Sequence, residues 1–219
     1  SLAPNGIAPE YFRPIERDSV AAVEIGLADD AFVIGYVGSI VAYEGLDDLL
    51  KALRVLAPKH PNLRVIIVGD GDTRMPLEQE SKEHGVADRV AFTGKVPPDA
   101  VCRYFSLFDA IALPRKPYQV CRLVSPLKPL EAMAMNVPMI VSDVEALAEM
   151  VEHGISALVH KAGDPESLAT AIEALISNPE LGPQLAFKAR EQMLPSRTWS
   201  NIAAKLGVEL DQIILSSRL

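Results

Sequence analysis

Short apolar runs bounded by turn residues alternate with helical stretches along this chain, and few folds accept that rhythm. The runs fall at 32–37 (FVIGYV), 64–68 (RVIIV), 89–92, 109–113 (DAIAL), 138–141 and 157–159. They are near-continuously apolar rather than alternating, which is how strands buried on both faces read. Between them the period changes. Leu46, Leu49, Leu50, Leu53 and Leu56 give one helix a single apolar face. Further helices are expected at 20–26, capped by Asp18 or Ser19, and over a charged stretch that stops at Gly85. Two more are expected at 98–105 and at 145–152, the latter stopped by Gly154. Asp164-Pro165-Glu166 supplies a cap, a proline and an acid for a helix reaching about residue 177. The remainder, punctuated by Pro179, Pro183 and Pro195, reads as helical to the end. Six strands alternating with helices predict an α/β fold: a doubly wound, parallel, six-stranded, Rossmann-like sheet with helices on both faces.

In such sheets ligands bind beyond the carboxyl ends of the strands, where strand order reverses. In the usual order, the loops after the first and fourth strands flank that crevice. Here those are 38–45 and 114–126, the second read as an irregular basic loop. Between Asp109 and Glu131 there is no acidic residue but four basic ones, Arg115, Lys116, Arg122 and Lys128, in a chain whose formal charge is -8. The stretch 125–143 (SPLKPLEAMAMNVPMIVSD) then reads as loop, helix and strand. Pro126 and Pro129 suit a first helical turn, and Asn136 can end the helix in the left-handed conformation. A helix start presents free N–H groups that attract phosphates. Glu131, one turn in, can accept hydrogen bonds from sugar hydroxyls. The plainer alternative is a helix start with solvated lysines and a surface glutamate.

The acidic balance argues against nucleic acid as a partner. Two cysteines, Cys102 and Cys121, are too few for a disulfide framework. The four histidines lack metal-ligand spacing, and His60 and His153 fall where helices are expected to end. No apolar run reaches the roughly 18 residues of a membrane span, and a cytoplasmic setting is expected. Hydrophobic residues make up 49 %, enough for a substantial core.

Several pieces, in order, resemble one family. They are 4–14 (PNGIAPEYFRP), 34–50 (IGYVGS…EGLDDLL), 63–72, 92–96 (FTGKV) and 130–143 (LEAMAMNVPMIVSD). Together they cover roughly 4–205. They resemble the C-terminal, nucleotide-sugar-binding domain of GT-B glycosyltransferases of the large retaining family usually numbered four (group 1). The resemblance implies that Glu131, matching the second acid of a Glu-x7-Glu motif, holds the donor's ribose. It implies that the turn at Lys95-Val96 holds the nucleobase and that the first-loop residues Gly38 and Ser39 face the donor. The backbone of Val124, Ser125 and on to Leu130 would hold the diphosphate and sugar. It implies no metal and no cofactor.

The sequence departs from the family at three places. Ser39 and Glu44 stand where the first loop carries Arg and Lys, and Leu123 stands where the first acid of the motif falls. Lys128 is best placed to replace the missing cations, with Arg122 and the candidate phosphate ligands Arg115 and Lys116 as alternatives. The resemblance further implies a linker at 1–17 from a preceding domain, the donor domain at 18–195 and a helical segment at 196–219. The acceptor, a glycan or lipid-linked glycan, would come to the other domain, which carries part of the catalytic machinery. This chain alone is therefore expected to be inactive, and peripheral membrane association of the parent is compatible. A non-catalytic binding domain of the same fold and a GT-B-like nucleotide-sugar epimerase remain alternatives. A dehydrogenase does not, because 38–45 (GSIVAYEG) lacks G-x-G-x-x-G.

Overall fold

The computed structural model describes residues 4–192 and 194–216. Six strands form one parallel sheet: β1 (Phe32–Val37), β2 (Leu63–Val68), β3 (Val90–Gly94), β4 (Ala110–Leu113), β5 (Met139–Ser142) and β6 (Leu158–His160). Their order is β3-β2-β1-β4-β5-β6. The chain therefore winds outward one way from β1 to β3, returns, and winds the other way from β4 to β6. β1 and β4 lie side by side at the reversal, with Ile34 opposite Ala110 and Gly35 opposite Ile111. The crevice expected from the alternation is thus at the carboxyl ends of β1 and β4.

The helices that open each return are α1 (Ser19–Glu24), α2 (Leu46–Leu56), α3 (Arg74–Glu83), α4 (Val101–Phe105) and α5 (Gln119–Leu123). They continue as α6 (Lys128–Met135), α7 (Glu145–Ala148), α8 (Pro165–Ser177), α9 (Leu181–Gln192) and α10 (Trp199–Ser216). α2 packs on α8 on one side of the sheet, and α6 packs on α4 and α9. The leucine face of α2 is core: Leu46, Leu49, Leu50, Leu53 and Leu56 are all buried. Caps fall where local chemistry puts them. The Asp18 carboxylate accepts from Ala21 N–H, Asp164 accepts from Ser167 N–H, and Asn136 closes α6 at φ +56°.

Two expectations are corrected. The basic segment after β4 is not irregular throughout. It holds the short helix α5, where Cys121 is buried and its N–H donates to Tyr118 O at 2.9 Å. The helix expected over 145–152 stops at Ala148. Met150 turns inward at 2 % exposure, and the chain then leaves for a bridge between His153 and Ala157. His153 therefore sits in a bend, where its Nδ1 accepts from Val159 N–H at 2.9 Å.

The segment before α1 meets the segment before α10. Ile7 N–H donates to Arg197 O at 2.8 Å and Trp199 N–H donates to Ile7 O at 3.1 Å. Gly6 is pressed against the side chains of Trp199 and Ile202, where a larger residue would overlap both. The stretch before α1 is therefore tied, at Ile7, to the start of α10. From there the Asn5 amide donates to Ser125 O at 2.9 Å, on the rim of the crevice.

Candidate functional site

Three segments converge at the carboxyl ends of the central strands. The turn after β1 and the turn after β3 border a cavity of about 310 Å³. Gly38, Ser39, Lys95 and Val96 line it, with Asp70 and Val101 beside them. Four residues expected at the donor site thus share one hollow. The turn after β1 lies close enough to the turn after β2 that a side chain at Gly69, whose φ is +133°, would overlap Gly38 O.

The third segment is the start of α6. Lys128 sends its stem over Gly38, where a side chain would collide with Lys128 Cε and where φ is +143°. The positive φ favours glycine there, and a larger residue would also push the lysine stem aside. The Lys128 ammonium lies 5.3 Å above the Tyr36 ring, and the Tyr36 hydroxyl donates to Ser39 O at 2.7 Å. Tyr36 was hidden from a sequence reading inside an apolar strand, where nothing separates it from ordinary core.

The helix start itself offers less than its sequence promises. Pro129 has no N–H, and the N–H groups of Leu130 and Glu131 both donate to Leu127 O, at 2.9 and 3.1 Å. The Leu130 side chain is fully buried at 0 % exposure, so it can only support the site from below. Positive charge at this rim comes chiefly from the Lys128 side chain.

The other cations are placed differently from one another. Arg115 is 7 % exposed and makes a forked pair with Glu44, Nη2 to Oε1 at 3.0 Å and Nε to Oε2 at 3.4 Å. Its Nη1 donates to Val124 O at 3.0 Å. Lys116 bridges Asp47 at 2.9 Å and Asp48 at 2.6 Å, at the first turn of α2. Both candidate phosphate ligands are thus committed to carboxylates within the fold. Arg122 lies on α5 with its Nε 3.7 Å from Glu145 Oε2, away from the cavity. Leu123 is 73 % exposed beside it, and Val124 is also exposed. The Ser125 hydroxyl donates to Met150 Sδ at 3.4 Å.

Two carboxylates differ in state. Burial opposes ionisation of Glu44, but the charges of Lys128 and Arg115 outweigh it and hold its carboxyl below the usual range. For Glu131, burial dominates and pushes the carboxyl up, with the Lys128 charge offsetting part of the effect. Glu131 also bears electrostatically on the Cys102 thiol, which burial raises first. Cys102 is on α4, next to cavity-lining Val101. Glu131 is half-buried on α6 and is not among the residues that line the cavity; among the described residues it makes no ion pair. That is the state of a carboxylate able to accept from hydroxyl groups.

Fold and crevice together define an open doubly wound α/β domain of the GT-B kind. The chain belongs to the group 1 glycosyl transferase family, whose model matches residues 21–192. It is 30 % identical over 215 residues to D-inositol 3-phosphate glycosyltransferase of Stackebrandtia nassauensis, covering 94 % of this chain and 47 % of that protein. Among solved structures, the C-terminal domain of the group 1 protein LpcC from Francisella tularensis superposes with a TM-score of 0.76 at 19 % identity, over 89 % of this chain and 100 % of that one. The Anabaena protein Alr3699/HepE, solved in complex with UDP-glucose, superposes with a TM-score of 0.85 at 21 % identity, over 97 % of this chain and 57 % of that one. The chain spans about half the length of the curated relatives it matches. Among the described residues, no helix is long and apolar enough to cross a membrane.

Proposed function

We propose that this chain is the donor-binding half of a retaining, hexosyl-type glycosyltransferase that takes its sugar from a nucleoside-diphosphate sugar. The observation that carries the reading is the convergence of Gly38, Ser39, Lys95 and Val96 on one cavity with the Lys128 ammonium at its edge. The base lies against the Lys95-Val96 turn and is held mainly by backbone. The ribose hydroxyls donate to the Glu131 carboxylate. The diphosphate lies over Gly38 with Lys128 as counter-ion, and the segment 124–127 faces the sugar. As the glycosidic bond to the diphosphate breaks, negative charge grows on the leaving oxygen, and a fixed ammonium there stabilises it. The UDP-glucose held by the Anabaena relative supports a ligand of this class.

The acceptor, a glycan or a lipid-linked glycan, meets the donor from the half of the protein that this chain does not contain. The chain alone then binds donor without transferring it, and the parent works in the cytoplasm or at the inner face of a membrane. One observation favours a second reading, a non-catalytic binder: exposed Leu123 stands where the family's pattern has an acid.

Calorimetric titration with UDP, GDP and ADP, then with the matching sugar nucleotides, tests the proposal. One nucleotide should bind selectively, and Glu131→Ala should weaken it about tenfold while leaving the fold intact. Equal binding by wild type and Glu131→Ala would remove the ribose assignment.

A further inference from the structure

Glu44 is out of place in a site for anions. Its carboxylate is 2 % exposed and stands in the turn between β1 and α2, beside the position given above to a diphosphate. Yet it faces two cations. Lys128 Nζ donates to Glu44 Oε1 at 2.9 Å, and Arg115 grips the same carboxylate from the opposite loop. One carboxylate against two cations leaves these three side chains net positive. The pairing also uses only part of the lysine. An ammonium has three N–H donors, and the bond to Glu44 occupies one.

A lysine is a poor fixed charge when left alone, because its stem has four rotatable bonds and its head is strongly hydrated. Here the stem is confined over Gly38, the head rests above Tyr36, and Glu44 fixes its direction. Arg115 in turn fixes Glu44, and its bond to Val124 O carries the arrangement into the segment before α6.

We propose that Glu44 is a positioning residue for the diphosphate: braced by Arg115, it holds the Lys128 ammonium at Gly38 with its remaining N–H donors free for phosphate oxygens. The inference rests on the donor-site reading in that the ligand is taken to be a diphosphate. Ordering of the lysine then precedes binding, so less affinity is spent on immobilising it.

The test is calorimetric titration of the 219-residue chain with inorganic pyrophosphate, applied to wild type, Glu44→Gln, Lys128→Met and the double variant. Pyrophosphate should bind wild type, and Glu44→Gln should weaken it about tenfold. In the Lys128→Met background Glu44→Gln should change binding less than twofold, because the lysine it positions is gone. Glu44→Asp keeps the charge on a shorter arm and should lie between wild type and Glu44→Gln. It also serves if Glu44→Gln fails to fold. Failure of pyrophosphate to bind wild type, unchanged or tighter binding to the Glu44 variants, or an effect of Glu44→Gln undiminished without Lys128 would each overturn the inference. Nucleoside diphosphates that bind no better than pyrophosphate would overturn the nucleotide reading and leave the role of Glu44 standing.

Discussion

The two sides of the crevice are built on different principles. On the side of β2 and β3, the wall is a hollow of glycines, small turns and apolar side chains, Gly38, Gly69, Val68, Val96 and Val101 among them. On the side of β4 and α6, the wall is a buried ion network of Glu44, Arg115 and Lys128, with Lys116, Asp47 and Asp48 behind it. The first side works by shape and by backbone groups that cannot be mutated away singly. The second works by a few side chains that depend on one another. The difference shows where this domain should be fragile.

The largest effect is expected at Glu44. Replacing it by Ala leaves Arg115 buried without its carboxylate and should destabilise the domain by about 3–5 kcal/mol in denaturant unfolding. Because the folded Glu44 carboxyl sits below its unfolded value, its contribution is present above that unfolded value and fades as pH falls through the depressed one. The gap between wild type and Glu44→Ala should therefore close in acid. A constant gap across pH would show that packing, not charge, sets the cost.

An intermediate effect of opposite sign is expected at Glu131. Its folded carboxyl is raised, so its contribution is fully present below the unfolded value and is lost as pH rises through the raised one. Glu131→Gln removes that ionisation. It should melt about 2 °C higher than wild type at neutral pH and no differently in acid, while binding nucleotide less well. Equal melting at both pH values would place Glu131 in a more solvated setting than its burial indicates.

The smallest effect is expected on the opposite wall. The Lys95 side chain is exposed, and the proposed contact to the base uses its backbone. Lys95→Ala should change nucleotide affinity less than about threefold, well under the tenfold that 1.4 kcal/mol represents. A larger loss would mean that this wall, too, works through a charged side chain.

Much of the fold was legible in the residues. The strand 32–37 and the helix 46–56 coincide with β1 and α2, and the other strands shift by a residue or so at their ends. The exceptions, α5 and the shortened α7, are helices of five and four residues, too short to show a period. Of the expected site residues, Gly38, Ser39, Lys95 and Val96 gather in one cavity with Lys128 at its edge, while Arg115 and Lys116 stand behind that edge, committed to carboxylates.

Periodicity and capping are local. Asp18, Asp164, Asn136 and the leucines of α2 act within one or two turns of chain, so the sequence by itself settled the elements and their alternation. Which cation meets which carboxylate is not local. Glu44 and Arg115 are 71 residues apart, and Glu44 and Lys128 are 84 apart. Neither neighbourhood by itself says which carboxylate a basic residue will meet. That choice was made only when the sheet brought the loops after β1 and β4 side by side, because charges select partners by distance and desolvation, not by their order along the chain.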